Sequence, residues 1–345
     1  MSKKVLKVLL ITGPLQHFFS GLVKRRCYKE VFMRHKMLSE ALKERFGTKV
    51  YKLSMTSGCT CPNRDGKIGY GGCTFCSEGG SGDFAAPFLS PEEQIRLARQ
   101  LVDGKFPARI PLSERKYIAY FQSFTNTYFR SEDELERLRK LYAATIRRPE
   151  IAVLSIGTRP DCLPPEIMEM LRELRKIKPV WVELGLQTIH PRTAVYIRRG
   201  YKLEVFENAV RNLRREGIEV IVHTILGLPK ESREDILATM EYLNRQDIQG
   251  IKLQLLHVLR NTDLAADYEE GKFEVFEREE YLGILQKCLE NLDPSIVIHR
   301  ITGDGPADLL IAPLWASRKR EVLNFFHRQM KEQESFQGKA LASEI

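Results

Sequence analysis

The sequence has no apolar run long enough to cross a membrane. Its most apolar stretch, residues 5–23, is broken by Lys7 and Pro14, and no small-residue cleavage site follows it, so we expect neither a membrane helix nor a secretory signal. Acidic residues are scarce at the N-terminus, where residues 1–52 hold 13 Lys and Arg but 3 Asp and Glu, in a chain of net charge +9. This asymmetry predicts nucleic acid or another anionic surface as a partner, and a solvated basic helix is the alternative.

Cysteine is too sparse for a disulfide-stabilised fold, since the 345 residues contain seven cysteines, an odd number, and the chain is long enough to bury a large core. Four of them lie in one glycine-rich segment, CTCPNRDGKIGYGGCTFC, from Cys59 to Cys76. This density indicates a metal site, and the spacing leaves two alternatives open. One is a zinc site built from all four cysteines. The other is an iron–sulfur cluster held by Cys61, Cys73 and Cys76, with Cys59 outside the ligand set.

The sequence also lacks a G-x-G-x-x-G motif after its first predicted strand, which disfavours a dinucleotide-binding sheet. Strand patterns occur at residues 49–55, 117–122, 151–156, 180–186, 219–226, 251–258 and 296–301. Helical patterns occur at residues 32–45, 91–103, 131–147, 165–176, 203–216, 231–245, 278–291 and 317–332. This alternation predicts a parallel α/β sheet closed into a full or partial barrel, with an open doubly wound sheet as the alternative.

Polar residues cluster where the predicted strands end. In a barrel of parallel strands, active sites form at the carboxyl ends of the strands. The cysteine segment follows the first strand, and the candidates at the later strand ends are Gln122, Ser123, Asn126, Arg159, Glu183, Gln187, His223, His257 and Asp304. We therefore expect one end of the barrel to collect these side chains.

The cysteine motif and several other segments resemble one enzyme family. The spacing C-x11-C-x2-C, with Phe75 between the last two cysteines, is similar to that of the radical S-adenosylmethionine (SAM) superfamily. CPNRDG (61–66), TRPDCL (158–163), WVELGLQT (181–188) and HRITGDGP (299–306) resemble its YtqA/YhcC-type, MnmL-like subfamily, which is related to the Elongator catalytic-subunit branch. The resemblance spans about residues 45–340.

The resemblance implies a fold and two cofactors. The fold is a partial (β/α)6-type barrel, which we place over residues 31–305. The basic N-terminal extension (1–30) lies outside the resemblance, and the sequence pattern predicts a C-terminal helical extension (306–345) whose tail is frayed from residue 335. The cofactors are SAM and a [4Fe–4S] cluster, which Cys61, Cys73 and Cys76 would hold. Reductive cleavage of SAM would give a 5′-deoxyadenosyl radical that abstracts a substrate hydrogen atom.

The resemblance also suggests roles for the strand-end residues. Gln122, Ser123 and Asn126 occupy the place of a SAM-binding motif, although the usual Gly-Gly-Glu is absent. Arg159 would pair with the SAM carboxylate, with an ion pair to Asp161 as its structural alternative. Gln187 matches a position that contacts the ribose. Candidate substrate contacts are Glu183, His223, His257 and Asp304.

The subfamily resemblance implies a substrate in tRNA, where a carboxymethylaminomethyl group on the wobble uridine would be converted to the aminomethyl stage. Expected partners are tRNA, a reductant such as flavodoxin or ferredoxin, and a methyltransferase for the next step, all in the cytoplasm. Two other functions stay open. One is radical SAM chemistry on a small metabolite or a protein, and the other is a zinc-stabilised RNA-binding adaptor.

Overall fold

A seven-stranded parallel sheet organises the protein, which is described here from a computed structural model covering residues 35–80, 85–303 and 305–343. The predicted extension 1–30 and Asp304 lie outside the described residues. Each strand pairs with the next along the chain. The strands are β1 (Val50–Met55), β2 (Lys116–Phe121), β3 (Ile151–Thr158), β4 (Val180–Gln187), β5 (Glu219–Leu226), β6 (Gly250–Leu255) and, after a short β7 (Val258–Leu259), β8 (Val297–Arg300).

Most helices pack on the outer face of the sheet, whereas α1 closes the amino-terminal end of its interior. The helices are α1 (Leu38–Phe46), α2 (Pro91–Gln100), α3 (Glu132–Ile146), α4 (Pro165–Arg175), α5 (Pro191–Tyr196), α6 (Leu203–Arg215), α7 (Arg233–Asn244), α8 (Asp263–Glu269), α9 (Arg278–Glu290) and α10 (Lys319–Glu332). Ser131 and Ser232 are the N-caps of α3 and α7, and the side chain of each accepts a backbone N–H from the first turn of its helix. Within the described ranges, no helix is both long and apolar enough to span a bilayer.

The sheet curls into a half-barrel. Tyr120 of β2 and Lys252 of β6 lie four strands apart in the sheet, yet the Lys252 ammonium donates a hydrogen bond of 2.9 Å to the Tyr120 hydroxyl. In a flat sheet four strand spacings amount to about 19 Å. The contact therefore requires strong curvature, and it confirms the prediction of a partial barrel.

The interior of the half-barrel is layered. Its amino-terminal end is apolar and contains Val50, Ile118, Val153, Trp181 and Ile221, with Leu42 of α1 packed against them as a plug. Along a strand every second side chain points inward. Two residues beyond the apolar layer, the next inward side chains are polar. These residues include Lys52, Tyr120, Ser155, Glu183, His223 and Lys252.

Several predicted boundaries differ from the structure. The predicted strand 251–258 is divided into β6 and β7, and β7 pairs antiparallel with β9 (Leu310–Ala312). Helix α1 begins at Leu38 rather than at residue 32, because the backbone around Met37 forms a parallel bridge to Ile298 beside β8. The short helices α5 and α8 were not predicted from the sequence.

The prediction of a frayed tail from Ser335 is wrong for residues 335–342. The Ser335 hydroxyl donates to Glu290 Oε1 at 2.7 Å, and the Gly338 N–H donates to the Leu289 carbonyl at 2.9 Å. The side-chain oxygen of Gln337 accepts the Lys36 N–H at 2.9 Å. These polar contacts fix the tail between the end of α9 and the residues before α1, a tertiary effect that low apolar content conceals.

Candidate active site

A cavity of about 570 Å³ lies at the carboxyl ends of the strands, where the barrel pattern predicts the site. It brings together Cys61, Cys73, Cys76, Gln122, Arg159, Glu183, Gln187, His223 and His257. Residues from β2, β3, β4, β5 and β6 meet there because all strands run in one direction. The sequence prediction of a single convergent site thus holds for these nine residues.

Ser123 and Asn126 are not among the described residues that line this cavity, although both were predicted to bind the cofactor. Asn126 is completely buried, and its amide donates to the carbonyls of Phe121 (3.1 Å) and Gly157 (2.8 Å). Its oxygen accepts the Ser57 hydroxyl at 2.7 Å. Asn126 therefore joins the ends of β2 and β3 and has no amide group left for a ligand.

The CPNRDG motif holds the cysteine segment in place. Asn63 donates to the Arg198 carbonyl and lies 3.6 Å from Cys73 Sγ. Arg64 donates to the carbonyls of Cys76 (3.0 Å) and Ser77, so it ties the beginning of the segment to its end. An irregular loop lacks the regular backbone hydrogen bonds of helices and strands. The side chains of Asn63 and Arg64 supply hydrogen bonds to its carbonyl groups instead.

Gly72, directly before Cys73, is a position that only glycine fits. Its φ is +88°, and a Cβ there would lie 2.9 Å from Arg64 Nε. A side chain would push away the guanidinium that ties the two ends of the segment together. The glycine content of the motif therefore serves the placement of the cysteines.

Cys59 has a different environment from the other three cysteines. It belongs to the main apolar core outside the barrel, and burial raises the pKa of its thiol. It is not among the described residues of the cavity wall, whereas Cys61, Cys73 and Cys76 are. This arrangement fits a ligand set of three cysteines.

The cavity fits an iron–sulfur cluster by the chemistry of its donors. Thiols are the usual ligands of such clusters, and three of them leave one iron free for an external ligand. Among the described residues, no three His, Cys, Asp or Glu side chains converge as they would on a single metal ion. A [4Fe–4S] cluster binds each thiolate to a different iron, so its ligands need not converge on one point.

Arg159 lines the cavity and also forms the ion pair that was its alternative role. Its Nε and Nη2 atoms lie 2.9 and 2.8 Å from the two carboxylate oxygens of Asp161. Its guanidinium also lies 5.2 Å from the ring centre of Tyr201. Burial opposes the charge of Arg159, but the hydrogen bonds to Asp161 raise its pKa above the ordinary value. The residue therefore offers the cavity a fixed positive charge.

Two residues on the cavity wall have left-handed backbone conformations. Gln187, the last residue of β4, has a φ of 63°, and Phe124 has a φ of 57°. Residues other than glycine adopt this conformation at a cost of about 1–2 kcal/mol. The register of β4 also shifts between Gly185 and Gln187. Such strain is concentrated at functional sites, and here it turns the end of β4 towards the cavity.

Glu183 lies at the centre of the polar layer and is completely enclosed. Its Oε1 lies 2.8 Å from Lys52 Nζ and accepts the Ser155 hydroxyl at 2.7 Å. Its Oε2 lies 2.5 Å from Lys252 Nζ and accepts from His223 Nε2 at 2.7 Å. Burial alone would raise the pKa of Glu183, but the two lysines hold that pKa well below its usual range. Glu183 is therefore a carboxylate.

The histidines have unequal surroundings. Burial, together with Lys252, lowers the pKa of His223 to about 4, so its ring is neutral near pH 7. His257 lies on the cavity wall close to Gly303 and Gly305, where a Cβ would lie 2.5 and 3.1 Å from its ring. His190 is absent from the cavity lining given by the described residues, and its Nε2 contacts the Asp235 carbonyl instead.

Sequence reasoning missed several residues of the cavity wall, namely Ser54, Arg64, Tyr120, Arg199, Lys252, Gln254 and Arg300. The signal for Lys252 was present, because a lysine in the middle of the apolar strand GIKLQL is unusual. Its inward orientation follows only when the strand register is known. Cys162, in contrast, is buried and its thiol pKa is raised by burial, which is typical of an unreactive thiol.

Fold, cysteine placement and sequence together define the class of the protein. Residues 55–243 match the family model of the radical SAM superfamily, and residues 248–332 match the model of its C-terminal domain. The chain belongs to the radical SAM superfamily. It is an enzyme whose cofactors are a [4Fe–4S] cluster and SAM.

Sequence relatives define its position within the superfamily. The chain is 41% identical to YtqA of Bacillus subtilis over 90% of its own length and 94% of that protein. It is 34% identical to YhcC of Escherichia coli over 88% and 94% of the two lengths. A more distant relative, the tRNA uridine(34) acetyltransferase of Methanocaldococcus infernus, is 27% identical over 68% of this chain and 42% of that protein.

Among solved structures, Elp3 of Methanocaldococcus infernus has the same fold. The superposition has a TM-score of 0.61 at 16% identity, and it covers 84% of this chain and 64% of that chain. The resemblance to YtqA, YhcC and the Elongator branch is thereby confirmed at the level of family and fold.

Proposed function

We propose that this protein is a radical SAM enzyme that modifies the wobble uridine of tRNA. In this proposal it converts a carboxymethylaminomethyl group to the aminomethyl stage. The bond between the nitrogen and the carboxymethyl carbon breaks with uptake of water, the two-carbon group leaves as an oxo acid, and the two electrons lost by that carbon balance the reduction of SAM to methionine and 5′-deoxyadenosine. The observation that carries the proposal is the similarity of more than two thirds of the chain to a tRNA uridine(34) acetyltransferase. The basic N-terminal segment, with 13 Lys and Arg against 3 Asp and Glu in residues 1–52, agrees with a polyanionic substrate.

We assign Cys61, Cys73 and Cys76 as the cluster ligands, and Gln122, Arg159 and Gln187 as SAM contacts. When bound, the cluster and SAM supply a 5′-deoxyadenosyl radical. Arg64 holds the ends of the cysteine segment together, and Arg159 offers a guanidinium group to a carboxylate bound in the cavity. These roles follow from the donor types and from their common position in one cavity.

The proposal includes the partners and compartment that this chemistry requires. A one-electron reductant of the flavodoxin or ferredoxin type supplies the electron, and a methyltransferase acts on the amine product. None of the six cysteines in the described residues is in a disulfide, which agrees with a reducing compartment such as the cytoplasm.

The proposal is tested by following the wobble nucleoside. Protein reconstituted with iron and sulfide without oxygen is reduced and given SAM with tRNA that carries carboxymethylaminomethyluridine. Mass spectrometry of the digested tRNA then measures the conversion to aminomethyluridine, with Cys73→Ala as the inactive control. Conversion by the wild type alone supports the proposal. If tRNA is unchanged while SAM is cleaved, the substrate is a small metabolite or a protein.

A further inference from the structure

The described side chains that line the cavity include more cations than carboxylates. Glu183 is the one carboxylate among its described lining residues. The cationic lining residues are Arg64, Arg159, Arg199, Lys252, Arg300 and Lys319. Arg159 is paired with Asp161, but Lys52 and Lys252 share Glu183 between them. One buried carboxylate therefore faces two ammonium groups.

Lys252 is the ammonium group that is most completely withdrawn from water, with 4% of its side chain exposed. An ammonium group has three N–H donors. In the described part of the chain Lys252 has two oxygen partners, Glu183 Oε2 at 2.5 Å and the Tyr120 hydroxyl at 2.9 Å. The side chain also forms part of the cavity wall. One donor is thus available to a molecule bound in the cavity.

The charged groups around Lys252 favour the binding of an anion. Arg300 of β8 is the register partner of Lys252 of β6, so the two cations lie on neighbouring strands at the same level of the sheet. Burial, together with Lys52 and Arg300, lowers the pKa of Lys252, and the Glu183 carboxylate opposes this shift. A buried cation that is not fully balanced costs free energy, and a bound carboxylate removes this cost. The ring of His223 is neutral near pH 7 and adds no further positive charge.

We infer that Lys252, with Arg300 beside it, binds the carboxylate of the substrate's side chain, and that Glu183 is the positioning residue for Lys252. This inference rests on the proposed function, in which the reacting side chain ends in a carboxymethyl group. Lys252 lines the same cavity as Cys61, Cys73 and Cys76, so the anchored group lies in the chamber that holds the cofactors.

SAM also has a carboxylate group, so the experiment must distinguish SAM from the tRNA side chain as the ligand of Lys252. Two synthetic anticodon stem-loops are compared, one with carboxymethylaminomethyluridine at the wobble position and one with its neutral amide. Their affinities for the full-length, cluster-reconstituted protein are measured by fluorescence anisotropy without a reductant, and SAM affinity is measured by calorimetry. The variants are Lys252→Met and, as a matched control, Lys272→Met, which removes an exposed lysine paired with Asp267.

We expect the wild type and Lys272→Met to bind the carboxylate at least about 10-fold more tightly than the amide, because a charge-assisted hydrogen bond is lost with the amide. Lys252→Met loses this preference and keeps its SAM affinity. If Lys252→Met does not fold, Arg300→Gln must weaken the same preference.

Four other results overturn the inference. Equal binding of the two stem-loops by the wild type contradicts it but leaves the proposed function intact. If Lys252→Met still prefers the carboxylate stem-loop to the amide stem-loop, Lys252 does not bind the substrate carboxylate. If Lys252→Met loses its affinity for SAM instead, Lys252 binds the SAM carboxylate. If the wild type binds neither stem-loop, the proposed function itself fails, and the inference fails with it.

Discussion

At the scale of single residues, four cysteines of one segment have two environments. Cys59 packs in the outer core, whereas Cys61, Cys73 and Cys76 line the cavity. We predict that Cys73→Ala abolishes the bound iron and sulfide, because it removes one of three ligands. We predict that Cys59→Ala retains both and loses only stability, by about 1–2 kcal/mol, as expected for a buried small side chain. Iron and acid-labile sulfide per chain are the quantities to measure.

Thermal unfolding of the same two variants provides the control for folding. Both should unfold cooperatively, since the strands and helices of the core do not depend on the cysteine segment. If Cys59→Ala loses iron as completely as Cys73→Ala, the set of three ligands is wrong. A site of four cysteines, as in a structural zinc centre, would then describe the segment better.

The strained residue Gln187 allows a second prediction at this scale. Gln187→Gly and Gln187→Ala both remove the side chain, but only glycine tolerates the φ of 63° without strain. We predict that the glycine variant is more stable than the alanine variant by about 1 kcal/mol in urea unfolding. SAM affinity should fall equally in both. Equal stability would mean that the conformation is not strained, and unchanged affinity would exclude a SAM contact.

At the scale of elements, the contact between residue 35 and helix α10 is sensitive to acid. His35 is buried, stacks on His327 with ring centres 5.5 Å apart, and neither of its ring nitrogens has a partner within the described structure. Burial, reinforced by His327, lowers the pKa of His35 to about 4. The contact therefore persists only while the His35 ring is neutral.

This lowered pKa predicts how stability changes with pH. The unfolded chain, with a histidine pKa near 6.5, binds more protons than the folded chain between pH 6.5 and pH 4. The contribution of His35 to stability is therefore present above pH 6.5 and is lost as the pH falls. Between pH 7.5 and pH 5 this amounts to about 2 kcal/mol. Urea unfolding of His35→Phe should show a smaller decrease in the free energy of unfolding between pH 7.5 and pH 5. An unchanged pH dependence would refute the assignment of this decrease to His35.

The elements show which parts of the fold are encoded locally. All seven strands of the sheet were predicted, because each is a short run rich in apolar and β-branched residues that is separated from the next by a helical pattern. The break between β6 and β7 was not predicted, because Leu256 is as apolar as the strand before it. The ordered tail at Gln337 depends on residue 36, 301 positions away, and no local pattern reveals such a contact.

At the scale of the whole molecule, the layered interior explains the site. An apolar end closed by α1 supports a buried charged layer, and that layer forms the base of a cavity beside the cysteine segment. Among the residues of the cavity wall, the sequence indicated the cysteines, Arg159 and Gln187, since each lies at or beyond the carboxyl end of a predicted strand. It could not identify Lys252 or exclude Asn126, because their roles depend on which partners the curvature of the sheet brings within reach.

The most direct test of the whole account is the formation of 5′-deoxyadenosine. Reconstituted, reduced protein is given SAM, with and without tRNA that carries carboxymethylaminomethyluridine, and the nucleoside is quantified by liquid chromatography. The account predicts that tRNA increases its formation by at least about 10-fold, as a coupled substrate should. A protein that forms no 5′-deoxyadenosine under either condition and holds tightly bound zinc in place of iron would contradict it.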